Sequence, residues 1–342
     1  MTTRHAISGL WAILLFTALV SSGCASANEQ ASPYSYPTAP APRAEVPFPN
    51  WPMSPDRAEQ ILPAGDAEVI AAKGAGAGTT GALRVTLHFQ GAHHEKAFKW
   101  KEVPRRRMDG INNAPRKEIA AYELQKLFLD PEDYVVPTTR ARCVDIETYP
   151  FRGRASLSGT RCVFGVLTVW LRDVTVPDEL YEEERFREDS TYAYFMANVN
   201  LFTYLMDHQD GRSGNFLVST DGRRQVYSID NGVAMNRWPF YNWFVPNWDE
   251  IRVPALRRES VERLRALERS DLDRLAVLQE FTLDDQGLYH PVEPGPPITP
   301  DRGVRVHADS VQFGLTTSEI DGVWRRIEKL LAKVDRGKVA LF

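Results

Sequence analysis

Two aspartates and an asparagine recur at close spacing in residues 206–215 (MDHQDGRSGN) and 228–232 (SIDNG), namely Asp210, Asn215 and Asp230. Between them, residues 216–220 and 225–230 read as two strands around the turn pair Asp221-Gly222. Strands of about five residues, rising ~3.4 Å each, run out and back and return Asp230 to the neighbourhood of Asn215. Asp210 lies in the loop that leads in. A carboxylate and a carboxamide can together hold a hard divalent cation such as Mg²⁺ or Mn²⁺, which takes oxygen ligands. A separate carboxylate can orient a hydroxyl and accept its proton. Asp230 and Asn215 suit the metal, and Asp210 suits the base; this is the equipment of phosphoryl transfer.

That chemistry also needs a cation for the phosphates of ATP and a helix carboxylate to position it. Residues 97–103 read as a strand carrying Lys99 and Lys101 on one side, because side chains alternate with period 2. Residues 116–129 then take a helical period, and Glu118 stands in the first turn. Strand register favours Lys99 as the phosphate lysine. Earlier, the glycine-rich residues 74–81 (GAGAGTTG) offer Gly76, Gly78 and Thr79 as a loop whose backbone amides could approach the phosphates. Each piece alone has an ordinary explanation as a turn or a solvated face. Agreement of all of them in order and spacing is what carries the reading.

The spacing Asp210-x₄-Asn215, followed by Ile229-Asp230-Asn231-Gly232, resembles the atypical branch of the protein-kinase-like superfamily. That branch includes phosphoinositide 3- and 4-kinases, secretory-pathway kinases and HipA-type kinases. The resemblance runs over roughly residues 66–281 and centres on 190–235. It implies Asp210 as catalytic base, Asn215 and Asp230 as metal ligands, Lys99 as the ATP lysine and Glu118 as its partner. An arginine that the family places after the catalytic aspartate is Gly211 here, with Arg212 one place later, so Asp207 is a second candidate for the base.

The elements fit an α+β class: strands, one helix, strands, then mostly helices. The expected architecture is a two-lobed protein-kinase-like fold, with a small β-rich N-lobe over residues 56–172 and a larger helical C-lobe over 173–342. Strand-like runs fall at 66–103, 134–136 and 162–171. Helices are expected at 190–206, 255–268, 271–281 and 318–334, and residues 287–303, rich in Pro and Gly, read as a long surface loop. An aromatic cluster over residues 238–248 follows the metal motif as core or as a binding lip.

Residues 1–27 read as an export signal: a thin positive start, an apolar run from Ala6 to Val20, then small residues. Two processing outcomes stand open. One is cleavage after Ala27; the other is lipidation of Cys24 in a bacterial-lipoprotein manner. Residues 28–55, rich in Pro, Ala and Ser, read as a flexible tether. The protein is thus expected in the cell envelope, in the periplasm or outside the cell, with membrane contact only through a lipid on Cys24. Two cysteines remain, Cys143 and Cys162, an even pair that suggests a disulfide in an exported chain. Charged residues make up 25% of 342 and the net charge is −4, which speaks against nucleic acid as a partner. His93 and His94 have no further histidine at ligand spacing and read as an exposed tip. The acceptor, whether protein, sugar or lipid, is not readable from the residues. A catalytically inactive pseudokinase is the rival reading.

Overall fold

The computed structural model describes residues 46–342, apart from 65–66, 76–80, 90–94, 106–107, 111–112, 152, 236–247 and 300. The expected signal segment, Gly76, Gly78, Thr79, His93, His94 and all of the aromatic cluster except Trp248 lie outside the described residues. The architecture is mixed α+β. Helix α1 (Pro55–Ala64) leads into β1 (Ala67–Gly74), β2 (Leu83–Phe89) and β3 (Lys96–Glu102), then α2 (Pro115–Gln125), β4 (Thr139–Asp145) and β5 (Cys162–Val169). The five strands form one antiparallel sheet in the order β1-β2-β3-β5-β4. Alternation divides the sheet cleanly. Phe98 and Trp100 of β3 share a face with Val85 and Leu167, whereas Lys99 and Lys101 point to the opposite face with Val166 and Thr168. Tyr149 receives the Trp100 indole N–H at 3.0 Å, and a Cβ on Gly165 would collide with the indole ring.

Next come β6 (Val174–Thr175), α3 (Glu183–Glu188) and α4 (Ser190–Leu205), followed by the ribbon β7 (Phe216–Ser219) and β8 (Val226–Ser228). Asp189 caps α4 by accepting from the Tyr192 backbone at 3.0 Å, and fourteen of the sixteen residues of α4 are buried, so this helix is the spine of the larger core. The chain closes with β9 (Ala255–Leu256), α5 (Arg258–Arg265), β10 (Gln279–Leu283), β11 (Tyr289–Val292), β12 (Val304–His307), β13 (Ser310–Phe313), α6 (Thr317–Asp335) and β14 (Ala340–Leu341). A capping box between Thr316 and Glu319 starts α6, and its buried stripe is Ile320, Val323, Ile327 and Leu330. No helix among the described residues is long and apolar enough to cross a membrane.

The structure departs from the sequence expectations in four places. The C-terminal half is not mainly helical: β10 to β13 form a four-stranded antiparallel sheet, order β11-β10-β13-β12, where a helix over 271–281 and a surface loop over 287–303 were expected. Phe281, Val311 and Phe313 of this sheet pack on Ile119, Ala141, Phe164 and Val166, so it covers the lysine-bearing face of the first sheet beyond the lysines. Residues 134–136 form no strand, and the fourth strand begins at Thr139. The expected helix over 255–268 shrinks to α5, because Ala255 and Leu256 pair in parallel with Ala340 and Leu341. The tether also ends before residue 55, since Asn50 is buried and donates to the Arg172 carbonyl at 3.0 Å while Trp51 joins the core.

Cys143 and Cys162 are joined by a disulfide, with Cα atoms 5.4 Å apart across neighbouring strands β4 and β5. Closing this 19-residue separation constrains the unfolded chain by about 3 kcal/mol in the chain-entropy account. Reduction, or the double change Cys143→Ser and Cys162→Ser, should lower the urea-unfolding free energy by about that amount. Equal midpoints for the oxidised and reduced protein would contradict it.

Candidate active site

Helix α2 begins at Pro115, a residue suited to the first helical turn because its missing N–H has no intrahelical partner there. Every residue of α2 except Glu123 is buried. Three consecutive side chains tie the helix to α6, to the segment after β8 and to the first sheet, with Lys117 Nζ also 3.8 Å from Glu319 Oε1. Arg116 makes a two-pronged pair with Glu319 of α6 at 2.8 and 2.9 Å and donates to the Gly314 carbonyl at 3.1 Å. Lys117 donates to the Ala234 carbonyl at 2.5 Å. Glu118 faces the first sheet and the segment after β8: its Oε1 receives Lys101 Nζ at 3.1 Å, and its Oε2 receives the Asn231 backbone N–H at 3.0 Å.

The two lysines meet the same two carboxylate oxygens. Lys101 Nζ lies 3.1 Å from Asp230 Oδ1, and Lys99 Nζ lies 3.3 Å from that atom and 3.6 Å from Glu118 Oε1. Asn113, just before α2, also accepts from Lys101. Gly232 makes this approach feasible: a Cβ there would collide with Asn113, and the Gly232 carbonyl accepts from Ala114 N at 3.0 Å. Asp230 holds a left-handed backbone, φ 60° and ψ 51°, which is costly for a residue with a side chain and is the kind of strain that gathers at functional positions.

The hairpin delivers the rest. Pairing of Phe216 with Ser228, continued by Ile229 N to Asn215 O at 2.8 Å, sets Asn215 beside Asp230 as the strand arithmetic requires. Asn215 donates its side-chain N–H to the Asp210 carbonyl at 2.8 Å, which fixes the orientation of the amide and turns its oxygen away from that carbonyl. Asp210 is buried, with Arg212 Nη2 at 3.1 Å. Asp207 is elsewhere: it pairs with Arg326 of α6 and borders a 210 Å³ cavity with Ser318 and Arg325. The larger cavity, about 690 Å³, opens on the other face of the first sheet over Trp100, Val85 and Leu167. Neither cavity is the place where the lysines and carboxylates meet.

His208 is a member of the cluster that spacing alone did not single out. It is fully enclosed, its ring lies 5.8 Å from that of Phe216, and neither ring nitrogen has a hydrogen-bond partner among the described residues. Burial pushes its pKa down against the pull of Asp210, Asp230 and Glu118, so the ring is held neutral among carboxylates. Its position two residues before Asp210 is the signal that could have found it. Asn113 carried no such signal, since nothing local distinguishes it from Asn112.

Burial would raise the Asp230 pKa, but Lys99 and Lys101 overcome it and hold the carboxyl well below the usual range. Burial would likewise lower Lys99, yet Glu118 and Asp230 raise it. The Asp230 contribution is therefore present above the ordinary carboxylate pKa of about 4 and lost only in stronger acid. The Lys99 contribution is complete below about 10.5 and lost above it. The charge pairing is thus constant across neutral pH. Lys117 behaves oppositely: burial, with Arg116 adding to it, pushes its pKa from 10.5 down to about 8. Between those values the unfolded chain binds more protons, so stability should climb as pH rises from 8 to 10.5, by about 3 kcal/mol at most. Lys117→Met should flatten that rise in chemical denaturation measured across the window; an unchanged slope would remove Lys117 as its source.

Among the described residues no three His, Cys, Asp or Glu side chains gather as a complete metal cage. Asp230 and Asn215 offer a partial oxygen set, which suits a cation completed by phosphate oxygens and water rather than by protein alone. No protein-family model matches the chain, and a search of curated proteins finds no match.

Proposed function

We propose that this chain is an exported kinase-like phosphotransferase, which moves the γ-phosphate of ATP to a hydroxyl on a protein, sugar or lipid. The observation that carries this reading is the double use of Glu118. One of its oxygens takes a lysine from β3 and the other takes the backbone of Asn231, so a single carboxylate couples the lysine strand to the loop of Asp230. Protein kinases carry out phosphoryl transfer with a strand lysine, a helix glutamate and a metal-binding aspartate in this relation. The run His208-x-Asp210-x₄-Asn215 also has the spacing of the protein-kinase catalytic loop. The disulfide agrees with an oxidising compartment, and so with export.

In this reading Asp210 orients the acceptor hydroxyl and takes its proton as the oxygen attacks the γ-phosphorus. The new P–O bond forms as the bond to the bridging oxygen breaks, and ADP leaves. A lysine on β3 binds the phosphates of ATP. Asn215 and Asp230 would hold Mg²⁺ or Mn²⁺, which neutralises phosphate charge when bound. Asn231 and Gly232 keep the Asp230 loop against α2, and the buried His208 ring packs near Phe216 without adding charge.

Nucleotide binding is the direct test. ATP with Mg²⁺ or Mn²⁺ at about 100 times its Kd should stabilise the protein by ~2.7 kcal/mol in thermal unfolding. Transfer from γ-labelled ATP should fall by about 10²- to 10⁴-fold in Asp210→Ala. Stabilisation without transfer in the wild type, and no difference in Asp210→Ala, would mark a pseudokinase. No stabilisation by any nucleotide would end the proposal.

A further inference from the structure

The lysine-bearing face of the first sheet continues past the cluster of lysines and carboxylates. Lys99 stands opposite Arg84 of β2, and Arg84 stands opposite Lys73 of β1, so three cations lie side by side on three neighbouring strands. Lys99 is balanced by Glu118 and Asp230. The outer two have no carboxylate partner among the described residues. We propose that Arg84 and Lys73, with Trp170 stacked on the guanidinium, form an anion-binding subsite at the outer end of this face, which takes a small ligand carrying two or more phosphates.

The guanidinium carbon of Arg84 lies 4.7 Å from the centre of the Trp170 ring. Trp170 follows β5, and its backbone N–H reaches the Ala97 carbonyl at 3.2 Å, which anchors it to β3. Stacking on an indole fixes the plane of a guanidinium and leaves its N–H edges free, a fork that matches two phosphate oxygens. Two more cations flank Trp170. Arg172 is exposed two residues further on, and Lys96 immediately precedes Ala97. Burial lowers the Lys96 pKa, and the neighbouring Arg172 charge lowers it further. Neither has a carboxylate partner among the described residues. Other arginines of this chain, whose net charge is −4, are matched, as Arg140 is with Glu123 and Arg257 with Asp133. Like charges directly opposite one another on adjacent strands repel, and a bound polyanion cancels that repulsion. A single carboxylate would leave most of this charge unanswered, whereas several phosphate charges answer it. The subsite goes beyond the phosphotransferase reading, since it uses neither Asp210 nor a metal ion.

The probe is sodium tripolyphosphate, titrated into the full chain in metal-free buffer at fixed ionic strength. Without metal, Glu118 and Asp230 repel it from the lysines of the cluster. Arg84→Met and Lys73→Met should each weaken binding by about tenfold, and Arg84→Lys should recover only part of the loss, because an ammonium keeps the charge but not the fork. Lys329→Met, which removes an exposed charge on α6, should leave the Kd within about twofold of wild type. Neither Arg84→Met nor Lys73→Met should lower the ligand-free unfolding temperature by more than about 2 °C, since no ion pair is broken. Added MgATP then separates two sources of phosphate. Displacement of tripolyphosphate identifies the nucleotide's own phosphates as the occupant, and undisturbed binding identifies a second phosphorylated molecule. The proposal is overturned if wild type does not bind tripolyphosphate, or if Lys329→Met weakens it as much as Arg84→Met does. A protein that binds the probe through Arg84 yet transfers no phosphate from ATP would keep this subsite and lose the phosphotransferase reading.

Discussion

On the proposed phosphotransferase reading, Asp230→Asn should reduce phosphoryl transfer by about 10²- to 10⁴-fold while leaving the fold intact. The aspartate is the meeting point of both lysines and follows the strand that pairs beside Asn215, so its charge is central to the cluster. Asparagine is the replacement of choice because it tolerates the left-handed backbone seen here, at φ 60°. Asp230→Ala would add roughly 1–2 kcal/mol of backbone strain and confuse lost chemistry with lost structure. Removing the charge still leaves Lys99 and Lys101 with Glu118 alone, so Asp230→Asn should lose about 1–3 kcal/mol of stability, reduced from the fully buried case by its partial exposure. Transfer from γ-labelled ATP within tenfold of wild type would show that Asp230 is not a metal ligand.

The largest effect on stability is expected from Arg116→Ala. The guanidinium is 6% exposed and paired at two points with Glu319, itself only 11% exposed. Removing the guanidinium leaves the buried Glu319 carboxylate to the more distant Lys117 Nζ, 3.8 Å away, a loss at the lower end of about 3–5 kcal/mol. The same guanidinium satisfies the Gly314 carbonyl, so α2 would lose its hold on the start of α6 as well. Urea unfolding reads the stability directly. The double change Arg116→Met with Glu319→Leu should recover much of it, because an apolar pair of similar size avoids the stranded charge. If the single and double variants are equally unstable, packing of the arginine stem rather than its charge is what matters.

The relative placement of the candidate residues was more legible in the sequence than the fold around them, for reasons visible in particular residues. Period-2 alternation places Lys99 and Lys101 on one face whatever the sheet does, and hairpin pairing returns Asp230 to Asn215 by counting alone. The choice of Lys99 as partner of Glu118 could not foresee that both lysines share its Oε1, because the register of β3 against α2 is set by tertiary packing. Residues 134–136 look like a strand because they are apolar, yet the side chain of Gln125 takes over the ladder. It accepts from Val135 N and Val136 N at 2.8 Å each and donates to the Val136 carbonyl. The sheet of β10 to β13 was hidden by its punctuation. Pro291, Gly287 and Gly303 read as loop, and Leu272 with Leu275 read as helix, where they form a 3₁₀ turn before the alternation of Gln279 and Phe281 begins.

A helix with a single half-exposed side chain has no wet surface on which to drift. Arg116 and Lys117 both reach Glu319 of α6, Lys117 also holds the Ala234 carbonyl, and Glu118 takes the Asn231 backbone, so α2 cannot swing as a lever without releasing these contacts together. In any chain descended from the same ancestor, positions 116 and 319 should change as a couple or not at all, and position 118 should change only together with 99 and 101. Such paired histories would record this arrangement in sequences alone.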